Sequence, residues 1–261
     1  MSHYEISLHL FNSKPKSIKI IEWRWLLSKC HIRGPSIVRA NEIPEWANEA
    51  VKTILETVKL KDPYTFNHCI RVGKSARRFA AALGLSEHDQ DILEFSGLLH
   101  DVGKLGIPDE ILLKPDRLTQ EEFTKMKTHA EMSCDVIEPL LKVPFFRFLV
   151  PGIKHHHERY DGMGYPSKLK GEGIPLPARI ITIVDCFDAI TNARPYKTAK
   201  SEEFALEEMK KYSGAQFDPY LAKCFLEIYP FWKNEDASNT KKIIYLQSKE
   251  SIIPELLKKT G

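Results

Sequence analysis

The stretch Ser86-Glu87-His88-Asp89-Gln90-Asp91-Ile92-Leu93-Glu94-Phe95-Ser96-Gly97-Leu98-Leu99-His100-Asp101-Val102-Gly103-Lys104 decides how this chain folds. Ser86 and Asp89 stand three residues apart, in the manner of a capping box, and Ile92, Phe95 and Leu99 then recur on one helical face. That apolar face leads directly into His100-Asp101, with Gly103 and Lys104 in the turn beyond. Bundles aim ligands inward in this way, from the core-facing sides of several helices.

Helical signals continue on both sides. Pro44 opens a helix whose face is read as Trp46, Ala50, Ile54 and Val58, and Asp62-Pro63 caps another that runs to Leu83 and stops at Gly84. Thr119-x-x-Glu122 starts the next, with Phe123, Met126, His129 and Met132 near one face, and a further helix covers about Phe145 to His156. Residues 158 to 178 hold four glycines and three prolines, a long loop of the kind that carries function. Helices then follow from Ala178 to Thr191, from Ser201 to Tyr212 and, after Asp218-Pro219, to Tyr229. The expected fold is all-α, a bundle of about seven or eight helices, and the lack of alternating βα units argues against a doubly wound sheet. Trp46 and Phe145-Phe146 are expected in its core, and His88, inside a capping box, in solvent.

The ends read differently. Residues 3 to 10 alternate in a strand period, Ile18 to Trp25 is a candidate partner, and the charged tail from Lys233 contains one apolar run, Ile243 to Leu246. The expected division is a small N-terminal element with β content over 1–43, a helical domain over 44–232 and a tail over 233–261.

Composition narrows the function. Of 261 residues, 43% are hydrophobic and 28% charged, as in globular proteins, and 38 basic against 35 acidic residues leave a net +3, too little to suggest a nucleic-acid polymer as partner. There is no run of 18 apolar residues for a membrane segment and no secretory leader pattern, so a cytoplasmic location is expected. Five scattered cysteines without a C-x-x-C pair indicate neither disulfides nor a thiolate zinc site.

Seven of the ten histidines fall between residues 68 and 157. His68, His100, His129, His156 and His157, with Asp101 and Asp185, each lie on or at the end of a predicted helix. Seven donors are too many for one ion and suit two six-coordinate ions sharing Asp101, with a net charge near +1 that attracts anions. Mixed imidazole and carboxylate donors favour iron or manganese over tetrahedral zinc.

Residues 62 to 219 resemble the HD-GYP family, a branch of the HD-domain phosphohydrolases. The segments that carry the resemblance are Asp62-x-Tyr64-Thr65-x-x-His68, His100-Asp101-x-Gly103-Lys104, Thr128-His129 and His156-His157-Glu158-x-x-Asp161-Gly162-x-Gly164-Tyr165-Pro166. Asp185-x-x-Asp188-Ala189-x-Thr191, Arg194-Pro195-Tyr196-Lys197 and Gly214-x-Gln216-Phe217-Asp218-Pro219 continue it in order.

The resemblance implies a metal-dependent phosphodiesterase that hydrolyses cyclic di-GMP to linear pGpG, GMP or both through a metal-bridging hydroxide. By position, one metal takes His68, His100, Asp101 and Asp185, and the other Asp101, His129, His156 and His157. Of three consecutive histidines, the pair immediately before the glutamate is the ligand pair, which leaves His155 outside. Some family members hold a third metal with a glutamate where Tyr64 stands, so a two-metal site is expected here. Asp101 and Lys104 are the implied catalytic residues. Lys104, Arg194 and Lys197 are implied substrate contacts, as is Tyr165, which is expected to stack on a guanine. Asp188 is expected to orient a ligand, and Glu158 and Asp161 to order the loop. A signalling partner domain reached through the Gly-Tyr-Pro loop and a second copy of the chain are the protein partners considered. Two alternatives stay open: a catalytically weak cyclic di-GMP receptor, and a phosphodiesterase for another cyclic dinucleotide.

Overall fold

The computed structural model describes residues 43–193 and 199–238, and of residues 233–238 the backbone only. The expected N-terminal strands, Arg194, Lys197 and the run Ile243 to Leu246 lie outside the described residues. Those described form an all-α bundle with no β-strand among them.

Helix α1 spans Glu45–Lys61 and buries Ala47, Val51, Leu55 and Val58, while Trp46 is 54% exposed. This corrects the expected face and places Trp46 outside the core. The period explains the difference: a 4, 4, 3 spacing keeps its stripe aligned, whereas three successive steps of four drift by about 120° around the helix. Helix α2, Pro63–Ala82, starts as expected, with the Asp62 carboxylate accepting from Tyr64 N at 3.0 Å and Thr65 N at 3.2 Å. Its stop is Gly84, at φ 73°, a left-handed position that favours glycine.

Helix α3, Glu87–Leu99, is capped by Ser86, whose hydroxyl accepts from Asp89 N and donates to the Asp89 carboxylate. His88 is not solvated. It is half-buried, packs against the rings of Phe145 and Phe148, and has a buried Nδ1 without a hydrogen-bond partner, because this side of the cap faces the neighbouring helical turn. Helices α2 and α3 cross at a glycine contact: a Cβ on Gly97 would lie 2.8 Å from the Cα of Gly73. That close approach leaves the His68 and His100 ring centroids 5.2 Å apart.

After a 3-10 turn over Val102–Gly106 come the single turn α4 (Asp109–Leu112), α5 (Gln120–Lys127) and α6 (His129–Ile137). The helix expected from Thr119 onward is therefore two helices. Thr119 and Glu122 form a complete capping box, but the chain breaks at Thr128, whose hydroxyl donates to Lys125 O, and Phe123 is left exposed. The helix expected over Phe145 to His156 is also broken, into α7 (Pro144–Arg147) and α8 (Val150–His155), where Pro151 sits in the first turn of the second.

Helix α9 (Leu176–Thr191) packs against α2, α3 and α8; α10 (Glu202–Lys211) and α11 (Pro219–Ser238) close the bundle. The last runs past Tyr229 and through Pro230. Trp232 supplies the packing that favours this continuation, edge-on to Phe79 and Phe225. One core joins α1 to α3 with α7 and α8 through Phe66, Leu98, Phe145, Phe146 and Leu149, the two expected phenylalanines among them.

Candidate metal centre

Each donor arrives from a different piece of the bundle. His68 comes from mid-α2, His100 and Asp101 from the end of α3, His129 from the first residue of α6, His156 and His157 from just beyond α8, and Asp185 from α9. Their ligand atoms fall into two sets, Asp101 with His129, His156 and His157, and His68 with His100 and Asp185; within each set all lie within 4.8 Å of one another. Asp101 reaches both. Its Oδ1 is 3.2 Å from His129 Nε2, and its Oδ2 is 3.4 Å from His100 Nε2 and 3.7 Å from His68 Nε2.

Small residues permit this convergence. A Cβ on Gly103 would strike His129 O at 2.1 Å, so the turn after Asp101 lies against the start of α6. Ser133 ties the two together, donating to His100 O at 2.7 Å and accepting from Gly103 N at 2.8 Å.

The tautomers follow from the hydrogen bonds. His100, His129 and His156 place Nδ1 at 2.6 to 2.7 Å from the carbonyls of Gly97, Met126 and Ile153, three residues back in each case. A carbonyl can only accept, so Nδ1 donates and Nε2 is left to face the cavity. The Nε2 atoms of His129 and His156 stand 3.4 Å apart, those of His129 and His157 3.1 Å apart, and His100 Nε2 is buried without a hydrogen-bond partner. Lone pairs facing one another in this way fit a cation between them, so the residues present suit divalent metal.

Charge is arranged accordingly. Burial holds His156 well below its ordinary pKa, with repulsion from His157, His100 and His129 added, and burial with His129 pushes His157 down to about 3. Both rings are neutral at physiological pH. Burial would raise Asp101 and Asp185, but for Asp101 the charge of Lys104, and for Asp185 the His68 hydrogen bond, outweigh it, and both stay ionised. His68 is the exception. Burial would lower it, yet hydrogen bonds to Asp185, at 3.0 Å, and Asp188, at 2.7 Å, raise it to about 9. Asp188 thus orients His68, as expected, and is itself gripped by Arg71 at 2.6 and 2.9 Å.

The loop expected to carry function folds over this centre. Glu158 accepts from Ser167 N and Leu169 N, and Arg159 pairs with Asp161. A Cβ on Gly164 would meet Arg159 N at 2.4 Å, so the loop lies flat on the strip after His157. Tyr165 stacks on His157, with centroids 4.8 Å apart, rather than offering both faces to a base. Beside it opens a cleft of about 410 Å³, within the range of small-ligand sites, lined among others by His156, His157, Tyr165, Asp185, Phe123, Lys127 and Gln216.

The other expected residues are placed as follows. Lys104 lies against the Asp101 carboxylate at 2.5 Å, and Tyr64 stands beside His68, with centroids 6.1 Å apart. His155 falls outside both donor sets and faces Glu158 at 3.6 Å. Sequence reasoning missed Arg71, Ser133 and Lys127. Arg71 follows His68 by one turn, which was a usable signal; the other two depend on how α6 and the loop pack.

Comparison with known proteins agrees with this geometry. The family model for the HD domain matches residues 52–221. A cyclic di-GMP phosphodiesterase response regulator of Xanthomonas campestris is 41% identical over 71% of this chain and 49% of its own length. A 3′3′-cGAMP-specific phosphodiesterase 1 of Vibrio cholerae is 41% identical over 55% of this chain and 33% of its own length. The chain spans about half the length of the curated cyclic di-GMP phosphodiesterases it matches. The solved structure of an HDG"Y"P protein from Bdellovibrio bacteriovorus, 15% identical, covers 79% of this chain and 78% of its own with a TM-score of 0.53, a likeness of fold. With most of the bundle matched, and with Tyr165 of the Gly164-Tyr165-Pro166 run stacked on His157, a member of the donor set that contains Asp101, the chain belongs to the HD-domain family, in its HD-GYP branch.

Proposed function

We propose that this chain is a metal-dependent phosphodiesterase that hydrolyses cyclic di-GMP to linear pGpG, GMP or both. The observation that carries the reading is the pair of donor sets, with Asp101 of one within 3.7 Å of His68 and His100 of the other, beside a nucleotide-sized cleft lined by His156, His157 and Asp185. His68, His100, Asp101 and Asp185 would hold one divalent ion, and Asp101, His129, His156 and His157 the second. Iron or manganese suits these donors better than zinc. When bound, such ions supply Lewis acidity toward the phosphodiester and an activated water.

The chain's own residues do the positioning. Backbone carbonyls and Asp188 fix the imidazoles, so little reorganisation is required when the anion arrives. Lys104 offsets part of the Asp101 charge and would meet a non-bridging phosphoryl oxygen of the bound substrate. Arg194 and Lys197 would add cations from the segment after α9, and Tyr165 would shape the wall against the substrate. Each cleavage breaks one P–O3′ bond; water gives its oxygen to phosphorus and a proton to the departing 3′ oxygen.

Among the described residues, no helix is long and apolar enough to cross a membrane and the cysteines form no disulfide, which supports the cytoplasmic placement. A second substrate is favoured by a specific observation: the Vibrio cholerae relative named for 3′3′-cGAMP is as identical to this chain as the cyclic di-GMP relative. Product analysis with both dinucleotides tests the proposal. Metal-loaded protein should release pGpG or GMP from cyclic di-GMP, with a lower kcat/KM for 3′3′-cGAMP. Tight binding without product would instead make the chain a receptor.

A further inference from the structure

The cleft beside His157 carries a cation that the catalytic reading does not use. Lys127 ends α5, one break before His129, and its side chain is half-buried in the cleft wall. The ammonium sits over two aromatic rings, 4.9 Å from the Phe123 centroid and 5.8 Å from that of Tyr165, and Tyr165 in turn stacks on His157. No carboxylate among the described residues pairs with it. Of the other charged groups of this wall, Arg159 is taken by Asp161, Glu158 by two backbone amides and Asp185 by His68, while Lys168, also in the lining, is exposed at the rim and not held over a ring. An ammonium held by ring faces is only weakly retained, whereas one meeting a phosphate forms a charge-assisted hydrogen bond.

A cyclic dinucleotide presents two phosphodiesters across one ring. When one is at Asp101 and His157, the other remains anionic and must lie in the same cleft. We propose that Lys127 holds this second phosphate, the one not being cut, and so selects dinucleotides over substrates with a single phosphodiester. The assignment rests on the phosphodiesterase reading above.

The test compares Lys127→Ala, Lys127→Arg and, as a control, Lys125→Ala, an exposed lysine of the same helix. Metal-loaded proteins are assayed with cyclic di-GMP and with bis(4-nitrophenyl) phosphate, which has one phosphodiester. Lys127→Ala should raise KM for cyclic di-GMP about ten- to a hundredfold, the loss expected for one hydrogen bond to a charged group, with kcat little changed. Its kinetics on bis(4-nitrophenyl) phosphate should match those of wild type, Lys127→Arg should restore most of the affinity, and Lys125→Ala should change neither substrate. An unchanged KM for cyclic di-GMP, or an equal loss on both substrates, overturns the assignment. If wild type cleaves bis(4-nitrophenyl) phosphate and leaves cyclic di-GMP intact, the hydrolysis reading fails. Lys127 is then judged by equilibrium dialysis of cyclic di-GMP: a ten- to hundredfold weaker Kd in Lys127→Ala supports it, and an unchanged Kd refutes it.

Discussion

Two buried polar clusters sit a short way apart in this bundle, and they are built on opposite principles. Around Arg179 and Asp218 each charge has an answer. The guanidinium meets the Asp218 carboxylate at 2.5 Å and Ile174 O at 2.9 Å, while the other Asp218 oxygen accepts from Tyr220 N and Leu221 N at the start of α11. Around Asp101, in contrast, the Nε2 atoms of His129, His156 and His157 confront one another and His100 Nε2 has no hydrogen-bond partner. A closed cluster serves the fold, and an open one is ready for a ligand. Burial is common to both, so burial alone does not distinguish a site; what separates them is whether donors and acceptors match.

The largest expected effect breaks the open cluster. Asp101→Ala or His129→Ala should lower turnover of cyclic di-GMP at least about a thousandfold and reduce bound metal together with it, since ligands act as one unit. Circular dichroism should show the metal-free variants melting within a few degrees of wild type. Retained hydrolysis in either variant would refute the mechanism. The closed cluster should respond the other way. Asp218→Ala leaves Arg179 without its carboxylate and uncaps α11, so urea unfolding should show a loss of about 3–5 kcal/mol, with the metal donors untouched. Metal content that fell along with stability would show the two clusters to be coupled.

A smaller effect is expected where packing serves the centre. Gly97→Ala would press a methyl against Gly73 and should cost about 1–3 kcal/mol by forcing α2 from α3. Because those helices carry His68 and His100, metal affinity should fall as well, which calorimetric titration would detect. The smallest effect is one of pH. His68 is raised to about 9 by Asp185 and Asp188, so below that pH an ion at this donor set must displace a proton, and its affinity should drop about tenfold per pH unit. His157, held down to about 3, and His156, also lowered, impose no such cost, so affinity at the second donor set should fall less steeply over the same range. Parallel pH profiles for the two would remove the distinction drawn between them. In the metal-free chain, the raised His68 adds stability that is full below pH 6.5 and lost as pH rises through about 9.

Much of this was legible in the residues before any coordinates. Asp62, Ser86, Thr119 and Ser201 announce helix starts because short polar side chains satisfy exposed amides, and all four do so here. The convergence of the seven candidate donors was legible because each stands at a helix face or end. Other features depended on tertiary packing. No proline or glycine marks the break at Thr128, so the turn that directs His129 inward is hidden in the sequence, whereas Pro151 does signal the break before α8. In α1 two apolar stripes lie one residue apart, and only the packed neighbour chooses between them. Lys127 was unreadable for a different reason: its meaning comes from Phe123, Tyr165 and the cleft, which meet only in the folded chain.

The most direct measurement is elemental analysis of protein purified anaerobically, alongside Asp101→Ala. The account predicts about two divalent ions per chain, iron or manganese, and a sharp fall in the variant, which lacks the carboxylate that lies between the two donor sets. Wild-type protein free of divalent metal after such purification, or one whose content Asp101→Ala leaves unchanged, would contradict it.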